Sequence, residues 1–281
     1  MAMNHLSTIN RRQFLQTAAL GAAGVALGRM PVFAGDAGKA AYGGFKMGIE
    51  SFSLRNFDLD GCLERMKKLD LHFIEFFFGH IQVTDDAGKL AALKEKCAKY
   101  EVTPLGWFVD NFAKDDDFNR ARFKFAQALG LKVLVGTPTP ECFASLDRLV
   151  AEFGIPVAIH NHGPGSAYAK ISDVAKALEG RHRLIGACVD TGHFLNADED
   201  PVKAIQTFGE RTYEVHLKEV DKNKKFQVLG KGMLDTVGVL RALKKLNFQN
   251  CLALEYEENP ADPMADMAEC LRVVREAVKQ I

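Results

Sequence analysis

Short apolar runs rich in β-forming residues recur along this chain at a nearly constant interval. Their starts lie 26, 30, 29, 25, 28, 27 and 39 residues apart, and the runs are 47–54, 73–79, 103–109, 132–136, 157–162, 185–190, 212–220 and 251–256. Between them lie segments whose apolar residues have helical spacing, as Leu63, Met66 and Leu69 do. Strand and helix therefore alternate eight times. Continuous apolar strands of this kind are typical of a parallel sheet covered by helices.

The number of repeats decides between two parallel architectures. Eight βα units favour a closed barrel over an open doubly wound sheet, and no G-x-G-x-x-G follows the first run, which weakens a dinucleotide-binding interpretation. We therefore predict an α/β fold, a single-domain (β/α)8 TIM barrel over residues 35–281. The longer last interval comes from a polar loop, residues 222–235, which we place at the C-terminal mouth, where barrel active sites are built.

The first 34 residues have a different character. Arg11 and Arg12 precede a short stretch rich in alanine and glycine, residues 18–27, and small residues lead up to Ala34. This order predicts a cleavable leader, and the paired arginines resemble a twin-arginine signal. We expect export of the folded protein to the periplasm through the twin-arginine machinery, with an amphipathic N-terminal helix as the alternative. The stretch is too short and too rich in glycine for a stable membrane span.

Charge and cysteine content exclude several function classes. Lys+Arg and Asp+Glu both number 36, so no global field attracts nucleic acid, and we expect a small-molecule partner instead. The six cysteines form no CxxC pair, which argues against a zinc knuckle or a disulfide framework and favours free, buried thiols. A homo-oligomer is compatible with the sequence.

Polar residues cluster at the ends of the last four predicted strands. Because these ends share one mouth of a barrel, one inward residue from each strand should converge there. Two imidazoles and two carboxylates suit one divalent ion, Mn²⁺, Co²⁺, Fe²⁺ or Zn²⁺, better than Ca²⁺. A single histidine or glutamate at a strand end is usually an ordinary polar group, but four on adjacent strands indicate a metal site. The predicted ligands are His160, Asp190, His216 and Glu255.

Further residues near these ends are candidates for contact with substrate. Glu75 could meet substrate hydroxyls or have a structural role in the barrel. Trp107, with Phe108, could form an apolar wall against a sugar ring or pack in the core. His162 and Glu257 follow the fifth and eighth predicted strands and are the remaining candidate substrate contacts.

The segments 190–193 (Asp-Thr-Gly-His), 215–216 (Val-His) and 254–255 (Leu-Glu) resemble the xylose-isomerase-like TIM-barrel superfamily. That group includes sugar-phosphate isomerases/epimerases, tagatose-type epimerases, hydroxypyruvate isomerase, inosose dehydratase and endonuclease IV. The resemblance covers the whole mature chain and includes the Gly-x-Gly stretch at Gly230 and Gly232. It implies that Asp190, His216 and Glu255 are ligands and that His193 faces the substrate.

His160 departs from the superfamily's pattern. The epimerases place a glutamate there, and their two glutamates act as acid and base on opposite faces of the substrate. With that partner missing, Glu255 remains as a base, and proton abstraction followed by loss of a β-substituent becomes easier than epimerisation. Lys218 and His193 could then hold the enolate oxygen or protonate the leaving oxygen.

These features predict a metal-dependent enzyme that forms an enediolate from a keto-sugar or keto-glycoside, with a lyase or dehydratase outcome. Export argues against a phosphorylated substrate. The alternatives are a sugar isomerase or epimerase, a non-catalytic sugar-binding barrel, and an endonuclease IV-like nuclease, which the zero net charge disfavours.

Overall fold

The structure, a computed structural model, describes residues 40–109 and 111–281. The predicted leader, residues 1–34, lies outside them. Each of the eight parallel barrel strands pairs with its neighbours along the chain, and the first pairs with the last, so that the sheet closes into a barrel and confirms the predicted (β/α)8 fold. The barrel strands are β1 (Lys46–Glu50), β2 (Phe73–Phe77), β3 (Thr103–Phe108), β4 (Val133–Gly136), β5 (Val157–His160), β6 (Ile185–Asp190), β7 (Thr212–Leu217) and β10 (Cys251–Leu254).

Helices surround the barrel, and their starts follow ordinary capping chemistry. Asp58, Asp86, Asp115 and Asp235 each accept a hydrogen bond from a backbone N–H of the first turn. Gly130, with φ of 74°, ends one helix, as its place after an apolar leucine predicts. The helices are α1 (Leu59–Lys68), α2 (Ala87–Lys99), α3 (Asp116–Leu129), α4 (Phe143–Phe153), α5 (Ile171–Leu178), α6 (Thr191–Asn196), α7 (Pro201–Phe208), α8 (Thr236–Lys245) and α9 (Met264–Ala277).

Six of the predicted strands extend beyond the observed ones at the mouth, and three of these six carry residues of the site. β5 ends at His160, β7 at Leu217 and β10 at Leu254. The chain leaves the barrel at these points, so Lys218 and Glu255 lie just past the strands rather than within them. The site is consequently built partly by strand ends and partly by the first residues of the loops.

The loop predicted over residues 222–235 contains a short strand. β9 (Phe226–Gln227) pairs antiparallel with β8 (Glu219–Val220). The hairpin lies at the mouth, as predicted, because Phe226 is within 5.0 Å of the Lys218 ammonium.

Candidate metal centre and active site

Four donor atoms from β5, β6, β7 and the end of β10 converge inside the mouth. They belong to His160, Asp190, His216 and Glu255, are buried, and lie within 4.8 Å of one another. His216 Nδ1 is 3.0 Å from Glu255 Oε2 and 3.8 Å from Asp190 Oδ2. His160 Nε2 is 3.5 Å from Asp190 Oδ2. The structure thus brings together the four residues that the strand ends predicted.

The donor atoms fit a divalent ion. Ligands about 2.1 Å from a common ion are separated by about 3 to 4.2 Å, and the three separations fall in that range. His160 Nε2, Asp190 Oδ2, His216 Nδ1 and Glu255 Oε2 are buried and make no hydrogen bond of acceptable geometry to a described residue, although the Lys218 ammonium forms ion pairs with the two carboxylate oxygens. Buried polar atoms without such a hydrogen bond are unusual, and an ion would satisfy all four at once.

Glu75 lies deeper in the barrel and orients His216. Its Oε2 accepts a hydrogen bond from His216 Nε2 at 2.9 Å, which leaves Nδ1 turned toward the other ligands. The sequence left two roles open for Glu75, contact with substrate hydroxyls or a structural role, and its completely buried contact with His216 agrees with the structural one. Burial raises the pKa of Glu75. It raises the pKa of the neighbouring Glu50 well above its usual value.

Lys218 places its ammonium among the carboxylates of the site. Nζ lies 3.0 Å from Asp190 Oδ2, 3.0 Å from Glu255 Oε2 and 2.5 Å from Glu257 Oε1. Burial alone would raise the pKa values of Asp190 and Glu255, but the Lys218 ammonium and the neighbouring histidines together outweigh it. The pKa of Glu255 is about 2, and that of Asp190 also lies well below its usual range. Both carboxylates are therefore ionised near neutral pH, which is the form that binds a cation.

His193 lies at the edge of the donor cluster, next to Lys218. Its Nε2 is 3.4 Å from Lys218 Nζ, and its ring lies against that of His162, tilted by 31° with 3.8 Å between centroids. Burial, together with the nearby Lys218 cation, lowers the pKa of His193 to about 3. The neutral ring can accept or relay a proton. His162 and Glu257 both line the cavity beside the cluster, where the sequence places them as candidate substrate contacts.

Two polar residues that were not among the predicted site residues connect the strand ends by hydrogen bonds. Asn161 Nδ2 donates to the Asp190 carbonyl at 2.9 Å, and its Oδ1 accepts from the Asp190 N–H at 2.8 Å. Thr191 Oγ1 bonds the backbone of Lys218 from both sides, at 2.7 and 2.9 Å. Gly192 leaves room for this lysine, because a Cβ there would lie 2.6 Å from Lys218 Cγ. These contacts fix the positions of a ligand and of the ammonium.

Glu219 organises the hairpin loop at the mouth. Its carboxylate accepts backbone hydrogen bonds from Gly230, Met233 and Leu234 at 3.2, 2.9 and 2.8 Å. These three hydrogen bonds to one buried carboxylate hold the loop in one conformation. The Gly-x-Gly stretch singled out in the sequence therefore has a loop-forming role here.

A cavity of about 280 Å³ lies beside the donor cluster, and its apolar wall includes Phe108 but not Trp107. Trp107 faces away from it, packing edge-on against Phe125 of α3 at 4.9 Å. The pairing of β2 with β3 skips Leu105, and this one-residue shift changes which side chains face inward. Phe108 consequently points into the mouth, 5.0 Å from the His160 ring. The full aromatic wall is Phe52, Phe77, Phe78 and Phe108.

Fold and site together define a class of protein, the (β/α)8 barrels whose polar site occupies the C-terminal mouth. Residues 63–276 match the family described as xylose isomerase-like TIM barrel. The chain belongs to this family, and the resemblance drawn from the sequence is confirmed.

Similar curated proteins include two inosose dehydratases. That of Clostridium botulinum (strain Alaska E43 / Type E3) is 26% identical over 135 residues, which cover 41% of this chain and 45% of the relative. That of Lactiplantibacillus plantarum is 26% identical over 152 residues, covering 47% and 50%. The chain thus spans about half the length of the curated relatives it matches.

Solved structures share the fold over nearly their whole length. A D-tagatose 3-epimerase-like protein superimposes with a TM-score of 0.69 at 16% identity, covering 84% of this chain and 98% of that one. The probable 3-DHS dehydratase of Bacillus anthracis gives 0.63 at 12% identity, with 84% and 98% covered. At these identities the likeness shows the fold.

The N-terminal segment also has a recognised match. Residues 8–28 match the twin-arginine translocation signal sequence, which indicates export. Cleavage after residue 34 and delivery to the periplasm stay predictions. Within the described part of the chain, no helix is long and apolar enough to cross a membrane.

Proposed function

We propose that this protein is a divalent-metal-dependent enzyme that removes a proton next to the carbonyl of an uncharged keto-sugar or keto-glycoside and then eliminates a β-substituent. One observation carries the proposal: the buried His160, Asp190, His216 and Glu255 donor set opens directly onto a ring-sized cavity. The names of the relatives, dehydratases and epimerases, agree with chemistry on sugar-like carbonyl compounds.

The four ligands would hold the ion, and when bound it supplies a Lewis acid that polarises the substrate carbonyl. Glu255 lines the cavity and uses Oε2 for its contacts with His216 and Lys218, so its carboxylate can take the proton from the neighbouring carbon. Lys218 and His193 lie together on one side of this carboxylate. We assign them to holding the enolate oxygen and to protonating the oxygen that leaves.

Elimination is favoured over epimerisation because the donor set is asymmetric. A second carboxylate in place of His160 would provide an acid on the opposite face, but this position carries an imidazole whose Nε2 faces Asp190. A histidine that binds a metal ion is a poor proton donor. Abstraction and expulsion of a leaving group need proton chemistry around one face only.

The proposed substrate carries no phosphate. Among the described residues that line the cavity there is neither arginine nor lysine, the side chains that usually bind phosphate, and the nearby Lys218 is already paired with Asp190, Glu255 and Glu257. The twin-arginine match points to the same class, because phosphorylated metabolites are retained inside cells.

The test combines metal analysis with isotope exchange. The purified mature protein should contain about one divalent ion per chain, and His216→Ala should lose it. In deuterated water, the parent protein should introduce deuterium next to the carbonyl of members of a panel of keto-sugars and 3-keto-glycosides. Release of water or an alcohol identifies elimination, and a rearranged sugar identifies an isomerase.

His72→Ala is the matched control, since His72 lies at the exposed Asp70 and Glu101, away from the mouth. It should keep both the metal and the exchange. If the protein binds sugars but neither holds a metal nor exchanges deuterium, the catalytic proposal is wrong and the barrel is a sugar-binding protein.

A further inference from the structure

A second cavity opens from the mouth on the side of β4 and β5. Its volume is about 400 Å³, and it shares Phe108, His160 and His162 with the cavity beside the donor cluster. The Phe108 ring, 5.0 Å from the His160 ring, therefore lies at the junction between them. A ligand whose carbonyl reaches the donor set would have any large substituent on this side directed into the second cavity.

The chemistry of the second cavity is that of a neutral, amphipathic ring site. Beyond the shared residues, its described lining carries no carboxylate, lysine or arginine. Hydroxyls can both donate and accept hydrogen bonds, and prolines offer flat apolar faces. Such a mixture suits the hydroxyl rim and apolar face of a sugar, or an aryl group with a polar edge. The lining is Thr137, Pro138, Thr139, Pro140, Ser166, Ala167 and Tyr168.

Hydrogen bonds hold this wall in place. The Tyr168 hydroxyl donates to the Pro138 carbonyl, which joins the loop after β4 to the loop after β5. Ser166 Oγ donates to the His162 carbonyl at 3.1 Å. The second cavity is thus bounded by two loops fixed to each other and to the histidine that both cavities share.

The volumes of the two cavities indicate how many rings of a ligand each can hold. The cavity of 280 Å³ lies just below the range of about 300–1,000 Å³ for small-molecule sites, whereas the neighbouring cavity of 400 Å³ lies within it. We propose that the second cavity is a subsite for an uncharged second ring, joined to the reacting keto-sugar through a glycosidic oxygen. The substrate class is then a keto-glycoside rather than a free keto-monosaccharide.

This inference rests on the proposed function. In a glycoside whose ketone is two carbons from the glycosidic carbon, Glu255 takes the proton from the carbon between them. The electron pair forms a C=C bond, the glycosidic C–O bond breaks, and the departing oxygen takes up a proton. The products are an unsaturated keto-sugar and the free alcohol or phenol, so atoms and electrons balance without a co-reactant.

The experiment fills the second cavity. Ala167→Trp introduces a large side chain in its exposed wall, and Ala151→Trp makes the same change on the exposed surface of α4, outside both cavities. The probes are a keto-hexose, a keto-disaccharide and a 4-nitrophenyl keto-glycoside. Ala167→Trp should lower kcat/KM for both two-ring probes by about tenfold or more by steric exclusion, while deuterium exchange into the keto-hexose stays within about twofold. Ala151→Trp should change neither.

Loss of both activities in Ala167→Trp, or of neither, overturns the subsite. A defect with only the disaccharide or only the aryl glycoside would assign the ring as a sugar or an aryl group. If the parent protein exchanges no keto-sugar, the proposed function fails, and calorimetry with 4-nitrophenyl β-glucoside then tests the subsite alone. Equal affinity in the parent and Ala167→Trp, or no binding at all, would also reject it.

Discussion

His216 is held between two carboxylates: Nε2 donates to Glu75 at 2.9 Å, and Nδ1 lies 3.0 Å from Glu255 Oε2. The first contact fixes the ring orientation and the tautomer that presents Nδ1 to the donor cluster. Residues that orient a ligating histidine commonly contribute 10- to 100-fold to metal affinity, about 1.4–2.7 kcal/mol. Glu75→Leu should therefore weaken Mn²⁺ or Zn²⁺ binding by about that factor in a calorimetric titration.

Glu75→Gln serves as the conservative control, since its amide oxygen can still accept from Nε2. It should recover most of the lost affinity. A purely structural role for Glu75 would instead lower the melting temperature of both variants and leave the metal affinity of the folded protein unchanged.

The Lys218 ammonium lies 3.0 Å from Asp190 Oδ2 and 3.0 Å from Glu255 Oε2, and these two oxygens are also proposed ligands of the metal ion. Lys218→Met should move two properties in opposite directions. The metal-free protein should lose about 3–5 kcal/mol of stability, since buried carboxylates are left without a cation. Metal affinity should rise by about tenfold or more, because a like charge beside the ion is removed.

Denaturant unfolding of the metal-free protein and metal titration measure the two effects separately. Unchanged affinity in a folded Lys218→Met protein would show that the ammonium moves away when metal binds. Lys224→Met is the control, because its ion pair with Asp198 is exposed and should contribute less than about 1 kcal/mol.

Trp107 and Phe108 are adjacent in sequence but should respond differently to truncation. Trp107 packs against Phe125 in the helix layer, so Trp107→Ala should cost about 3–5 kcal/mol of stability, with Trp107→Phe as a milder variant that keeps the fold. Phe108 faces the cavity, so Phe108→Ala should mainly raise KM. Thermal melts and steady-state kinetics on both variants check the contrast, and a kinetic defect in folded Trp107→Phe would contradict it.

The sequence predicted the barrel and the four-residue cluster because both depend on regular features. Eight repeats define the closed sheet, and strand ends on one mouth bring His160, Asp190, His216 and Glu255 together. The sequence left open whether Trp107 lines the cavity or packs in the core, because the direction of its side chain depends on the one-residue shift at Leu105. The contact between Glu75 and His216 spans 141 positions and depends on barrel closure, which no local pattern reports.

The six cysteines should remain thiols even after export. All are free and buried, and burial raises the pKa of Cys97 and of Cys270 to about 12. A thiol that is protonated and shielded from solvent reacts slowly with oxidants and disulfides. Ellman's reagent at pH 8 should label the native protein slowly and all six sites after unfolding. Rapid labelling of the native chain, or a mass that changes on reduction, would contradict this.

His160 offers the most direct test of why elimination is proposed. His160→Glu introduces the carboxylate that the family resemblance implies for epimerases at this position, in a buried site whose neighbouring donor, Asp190 Oδ2, lies 3.5 Å away. Two carboxylates would then be available as base and acid, so the variant should keep its metal, and products rearranged or inverted next to the carbonyl should increase relative to eliminated ones. The measurement is the ratio of these products by NMR in deuterated water, with His160→Gln as a control that restores no carboxylate. An unchanged ratio in a metal-loaded His160→Glu protein would mean that residues other than His160, with Lys218 and His193 the first to examine, direct the outcome.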